Sequence, residues 1–243
     1  VRVKSAVRLV ATVWVASMTI AAPVHQAHAE GNCGATAAAT QQWGTPLRTD
    51  DFSDPGSLGG WYLYDGPGHD GNGRRTPTAA SVSDGLLTIT GDAAGDSEGM
   101  AWTPGRMYGR WEVCAKSSVA SPNYHSVLLL WPSGSGSGEV DFMEIADPTR
   151  QSVDGFVHYG NGGKLSTTLD IDATAWHSWA VEWTAQRLAF FVDGRQWWET
   201  TDTAAIPDNA MVLCVQLDNF GGDISQGGQL VVDWTREYPP TTS

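Results

Sequence analysis

Gly138-Glu139-Val140-Asp141-Phe142-Met143-Glu144-Ile145-Ala146 sets three carboxylates into six residues of an otherwise apolar run. The run reads as a β-strand with one buried side. Strand alternation puts Glu139 and Asp141 on one face, and strict alternation sends Glu144 to the other. If Phe142-Met143 form a β-bulge, one residue is absorbed and Glu144 returns to the face of the first two. Three carboxylates along one side of a strand are not comfortable when all are ionised, so at least one pKa must rise. A calcium site would favour a loop over an apolar strand. A solvated acid ladder is opposed by Val140, Phe142 and Ile145, which bury the other side. The pattern suits paired-carboxyl chemistry. Hydrolysis of a glycosidic bond with retention needs one ionised group to attack and one protonated group to donate, roughly 5–5.5 Å apart.

The surrounding sequence follows the same grammar. Leu86 to Thr90, Arg110 to Lys116, Ser126 to Trp131, Phe156 to Tyr159, Trp179 to Trp183, Leu188 to Val192, Met211 to Leu217 and Leu230 to Trp234 are short and rich in β-branched and aromatic residues. Gly, Pro, Asp and Ser clusters separate them. No window longer than about ten residues carries a 3.6-residue apolar period between helix caps. Asp193-Gly194 between two apolar runs signals a two-residue hairpin. The Ser133 to Gly138 run imitates a linker, but between two strands it reads as a turn beside the acidic strand. Many short strands in one domain predict an all-β, two-sheet sandwich.

The chain has 243 residues, of which 41% are hydrophobic, with 28 Gly and 12 Trp, enough to bury a sizeable core. A formal net charge of −13 leaves no basic footprint for phosphate backbones, so nucleic acid is excluded as a partner. Abundant Trp suits a surface that stacks on flat, uncharged rings such as sugars. Residues 1–29 open with Arg2, Lys4 and Arg8, continue through the apolar run Leu9 to Ala22, and reach Ala27-His28-Ala29. This is the layout of a secretory signal peptide, too short in its apolar part to span a bilayer. Its removal takes three positive charges and leaves a net charge of −16. A secreted monomer with no membrane association is expected. Residues 30–45 read as a flexible N-terminal leader and residues 46–240 as the folded domain. Export permits disulfides. Of Cys33, Cys114 and Cys214, the last two lie in strand-like segments and are the favoured pair, although the sequence alone does not decide the pairing.

Glu139-x-Asp141-x-x-Glu144, preceded by Trp131-Pro132, resembles the active-site strand of glycoside hydrolase family 16. Its form is the bulged one of laminarinase-type endo-β-1,3-glucanases, not the unbulged one of lichenases and xyloglucan transglycosylases. Tyr108 to Glu112, His158-Tyr159, Trp176 to Gly194, Met211 to Leu217 and Val232-Asp233-Trp234 extend the resemblance over about residues 46 to 238. The resemblance implies a concanavalin-like β-jelly roll whose concave sheet forms a glycan cleft. It implies that Glu139 is the nucleophile, Asp141 its assistant and Glu144 the acid/base. It further implies that Glu112 hydrogen-bonds sugar hydroxyls, where relatives often carry Arg at the position of Cys114. Asp233 matches a position that ligates a structural calcium in many relatives, with an edge carboxylate as the alternative; no cofactor is needed for the chemistry.

Trp131 and Trp102 are candidate sugar-stacking platforms, each with a core role as the alternative. Gln216 is expected in the cleft, Asp218 is open, and His158 is expected to contact Glu144 or a sugar beyond it. Gly66 to Gly71 formally matches G-x-G-x-x-G, but Asn72 to Pro77 cannot open a helix. A cleft-edge loop in which Asn72 offers donor and acceptor to a sugar is the better reading. H-E-x-x-H and paired C-x-x-C are absent, so zinc mechanisms lack their parts. The expected function is a secreted, retaining endo-glycosidase acting on β-1,3 or mixed β-1,3/1,4 glucans. The alternatives are a non-catalytic glucan-binding module, or a related enzyme acting on galactan or performing xyloglucan transglycosylation.

Overall fold

Each of the eight segments expected as strands lies within one in the computed structural model, which describes residues 1–2, 31–160 and 162–240. The expected signal peptide therefore lies, apart from its first two residues, outside the described residues. One antiparallel sheet runs Gly163–Asp170, Ser152–Tyr159, Glu139–Ile145, Tyr124–Pro132, Met211–Asn219, Gly99–Arg106, Tyr62–Leu63. The other runs Arg195–Thr200, Leu188–Val192, His177–Trp183, Gly109–Ser117, Gly228–Tyr238, Leu86–Gly91, Ala80–Ser83, with Arg48–Asp50 paired to Gly228–Tyr238. The all-β jelly-roll sandwich follows, with the inward faces of both sheets in one core. Asp193 (φ 48°) and Gly194 (φ 75°) make the expected hairpin between Leu188–Val192 and Arg195–Thr200, where positive φ suits the right-handed twist of the strands.

Most tryptophans serve the core. Trp111, Trp179, Trp183 and Trp234 are at most 2% exposed. Trp61 stacks on Trp102 at 5.2 Å and on Phe52 at 6.1 Å. Trp131, 47% exposed, is the only tryptophan among the exposed large hydrophobic side chains of the described residues. The aromatic excess is therefore spent mainly on joining two sheets, and little of it faces solvent.

The segment expected to be a flexible leader instead packs as a strap. Cys33 is bonded to Cys114, which lies on the outward face of Gly109–Ser117 while Trp111, Val113 and Ala115 point into the core. A short helix, Ala37–Thr40, is capped by Thr36, whose hydroxyl accepts from the Ala39 N–H. Ser178 Oγ donates to the Ala35 carbonyl at 2.7 Å, and Thr40 Oγ1 donates to the Gly194 carbonyl at 2.7 Å. Ala37 and Trp43 then bury against Ala180, Ala189, Phe191 and Tyr238. A Gly/Ala-rich composition that suggests flexibility also lets backbone lie close to a sheet.

The expected pairing of Cys114 with Cys214 is corrected by the same observation. Cys214 is free and buried on the opposite sheet, in the outward-facing cluster with Val127, Leu129 and Val212. Cys114 and Cys214 each face away from the core, so two sheets separate them.

Candidate active site

The acidic strand is bulged where its sequence demands it. Leu128 pairs with Met143 and Leu129 with Asp141, so Phe142 has no partner on that side, and both Phe142 and Met143 are buried. On the other side Asp141 faces Phe156 and Glu144 faces Asp154, again with one extra residue on the acidic strand. Two successive apolar side chains enter the core, and Glu139, Asp141 and Glu144 emerge together on the outward face.

They lie on the floor of a cavity of about 940 Å³ built mainly on that sheet. Asp141 is 3% exposed, and one carboxylate oxygen each from Glu139 and Asp141 and a ring nitrogen of His158 lie within 4.8 Å of one another. Burial, with repulsion from Asp141 adding to it, pushes Glu139 up to about 8. Burial and repulsion from Glu144 raise Asp141 well above the usual carboxylate range. The two are hydrogen-bonded to each other, which requires a proton between them. That bond raises Glu139 and lowers Asp141 while His158 stabilises charge on Glu139, so the two acids titrate as a pair that shares a proton.

Around the acids, Trp131, His158 and Gln216 line the cleft as expected. His158 sits opposite Glu139 in register and reaches Asp141, with Nε2 3.5 Å from Oδ2, where contact with Glu144 or a sugar was expected. Gln216 Oε1 accepts from Arg75 Nη2 at 2.9 Å, and the same guanidinium pairs with Asp218 at 2.5 Å. Asp218 thus belongs to the cleft wall. Tyr62, 63% exposed, offers an aromatic face beside Tyr64.

Three expected substrate contacts lie elsewhere. Glu112 is on the opposite sheet, fully buried, accepting from the Ala37 N–H at 2.5 Å and the Ala38 N–H at 3.3 Å; it anchors the strap. Trp102 faces the core, because alternation gives the cleft to its neighbours Ala101 and Thr103. Asn72 supports the cleft-edge loop from behind: its Nδ2 donates to the His69 carbonyl at 3.1 Å, while His69 and Asp70 line the cleft. At Asp233, Oδ2 accepts from Asn32 N at 2.5 Å and Asn32 Nδ2 at 3.0 Å. Two N–H donors thus already occupy that oxygen.

His125 and Phe220 were not expected at the site, and His69 was expected there only as part of the cleft-edge loop. His125 Nδ1 is 2.9 Å from Glu144 Oε1. A signal for it is present in the sequence: the alternation that turns Trp131, Leu129 and Val127 outward also turns His125 outward. For Phe220 and His69, on loops, no periodicity applies.

The buried acids predict a pH dependence of stability. Burial raises Glu98 and Glu112 to about 7, and raises Glu139, Asp141 and Asp218 as well. These groups keep protons in the folded state that the unfolded chain sheds from about pH 4 upward. Their contribution is full below that point and is lost as pH rises through 7–8. His177, raised by its hydrogen bond to Asp193, acts in the same direction as pH rises. The exposed acids Asp147, Asp172, Glu199 and Asp223 are lowered by hydrogen bonds and oppose only further acidification. Calorimetry should find the midpoint higher at pH 5 than at pH 8 by several degrees, at about 2–4 °C per kcal/mol for a domain of this size. A midpoint that climbs with pH over that interval would contradict the assignment.

A β-sandwich with a bulged acidic strand across the floor of an open cleft defines the class of carboxylate-lined jelly rolls. A family model, Glycosyl hydrolases family 16, matches residues 72–236, and the chain belongs to that family. It is similar to the clotting factor G alpha subunit of Tachypleus tridentatus, 28% identical over 141 residues, covering 49% of this chain and 20% of that protein. It is also similar to endo-1,3-1,4-beta-glycanase ExsH of Rhizobium meliloti (strain 1021), 23% identical over 224 residues, covering 81% of this chain and 46% of that protein. The chain thus spans about a fifth and just under half of these curated relatives. Among solved structures, the laminarinase catalytic domain of Thermotoga maritima MSB8 superposes with a TM-score of 0.66 at 19% identity, covering 82% of this chain and 99% of that one. That likeness supports the fold.

Proposed function

We propose that the chain is a secreted, monomeric, retaining endo-β-glucanase that hydrolyses β-1,3 or mixed β-1,3/1,4 linkages. The observation that carries this reading is the return of Glu144 to the face of Glu139 and Asp141 through the bulge, inside a cleft of glycan dimensions. Glu139, ionised beside protonated Asp141, attacks the anomeric carbon while Glu144 gives its proton to the departing glycosidic oxygen. The glycosyl ester on Glu139 is then cleaved by water, whose proton passes to Glu144, and both groups return to their starting states. Asp141 tunes Glu139 and touches no leaving group. The substrate class draws support from relatives described as an endo-1,3-1,4-beta-glycanase and a laminarinase. Export draws support from the charged, apolar and Ala-x-Ala layout of residues 1–29. Among the described residues no helix is long and apolar enough to cross a membrane.

The test is product sizing with purified protein on laminarin, lichenan, agarose, xyloglucan and carrageenan. Oligosaccharides of mixed length from laminarin or lichenan, released first as the β-anomer by NMR, are expected. Binding without cleavage would leave a glucan-binding module, glucose alone would mean attack at chain ends, and cleavage of a galactan alone would overturn the substrate class. Release of the α-anomer would mean inversion through a water held between the two glutamates.

A further inference from the structure

His125 has no part in the chemistry above, yet it holds Glu144. Its Nδ1 lies 2.9 Å from Glu144 Oε1, with the side chains 14% and 15% exposed. The ring is clamped. His125 stacks on Phe220 with centroids 3.9 Å apart and planes 19° from parallel, and His69 stacks on the same ring at 4.0 Å and 24°. Two rings parallel to a third at these distances occupy its opposite faces, so Phe220 is sandwiched between imidazoles. The sandwich is anchored at both ends, since Phe220 N donates to the Asn123 carbonyl and Asn72 Nδ2 donates to the His69 carbonyl. Across the strand pair His125 faces Asp218, whose carboxylate is already engaged by Arg75.

We propose that His125 is the positioning residue of Glu144, and that the stack with Phe220 and His69 fixes its ring; the inference rests on the reading of Glu144 as acid/base. With its proton on Nδ1, His125 donates to Oε1 and confines the carboxyl proton to Oε2, the oxygen left for the leaving group. When that proton departs with the glycosidic oxygen, the carboxylate keeps its bond from Nδ1. The freed Oε2 takes a proton from the incoming water. One proton leaves Glu144 and one returns, while His125 retains its own throughout.

The experiment compares two substrates through kcat/KM, which reports the first covalent step: a laminari-oligosaccharide, whose departing oxygen needs the proton, and a 2,4-dinitrophenyl β-laminarioligoside, whose phenolate does not. His125→Ala is expected to lose about 10²-fold on the oligosaccharide, in kcat with KM little changed, because a misaligned acid acts at the transition state. On the aryl glycoside it should stay within about threefold of wild type. His125→Asn, which keeps an N–H near the Nδ1 position, should recover to within about tenfold of wild type on the oligosaccharide. Equal losses on both substrates, or no loss on either, would overturn the inference. Should His125→Ala fail to fold, Phe220→Leu leaves the imidazole unclamped and should show a smaller loss with the same substrate pattern; a wild-type ratio there would overturn it equally. Glu144→Ala separates the two readings. If it loses the aryl glycoside as fully as the oligosaccharide, the acid/base reading itself fails; if it spares the aryl glycoside, that reading stands and the His125 variants decide the rest.

Discussion

Glu139→Ala is expected to abolish hydrolysis of β-glucan, and azide is expected to restore turnover with formation of a glycosyl azide of inverted configuration. The loss should be on the order of 10⁴–10⁶-fold, the scale seen when a covalent nucleophile or its partner is removed. The rescue follows from the geometry: truncation empties the space over the anomeric carbon while leaving Glu144 and its His125 contact in place, so a small anion attacks once from the vacated side. Glu144→Ala should behave in the complementary way. Glucan hydrolysis falls about 10²–10⁴-fold, the usual contribution of general acid catalysis. An aryl glycoside with a good leaving group still forms the ester on Glu139, and azide then yields a product of retained configuration. Exchange of the two stereochemical outcomes would reverse the roles of the glutamates.

Cys33→Ser is expected to lower the thermal midpoint by on the order of 10 °C and to leave turnover unchanged. The bond closes a loop of 81 residues, for which the chain-entropy estimate is about 4–5 kcal/mol, and a domain of this size shifts about 2–4 °C per kcal/mol. The variant also releases the strap that supplies the two backbone N–H partners of buried Glu112, leaving it with Ser178 in a site already hostile to charge. Activity should be spared because Cys114 and Glu112 face outward from the sheet opposite the cleft. Calorimetry with a parallel turnover assay checks both halves. An unchanged midpoint would mean that the strap contributes little, and a matching fall in turnover at a temperature where the variant remains folded would mean that the two faces are coupled.

Much of the site was legible without coordinates because its signal is local. The parity conflict at Glu144 is written into Glu139 to Ile145, and a bulge is the one device that lets Val140, Phe142, Met143 and Ile145 bury while three carboxylates share a face. Trp131 and Gln216 entered as candidates from their chemistry and from the family resemblance, and His125 carried an alternation signal of its own. Trp102 failed where alternation should have warned, since Ala101 and Thr103 take the outward positions. Asn72 failed for another reason: its loop has no period, and its amide points to the His69 carbonyl.

What the sequence by itself determined is therefore the class of the fold, the positions of eight of its strands and the face of the acidic one, all set by side-chain alternation and turn residues within a few positions of each other. What only the tertiary structure decided is which sheet each strand joins and what covers its outer side. Glu112 and Cys114 lie on a strand as regular as the acidic one, yet long-range pairing places that strand in the opposite sheet, where they meet Ala37 and Cys33 and not a sugar or Cys214. Sheet membership is settled by which inward faces fill one core together, a property of the whole chain that no local window contains.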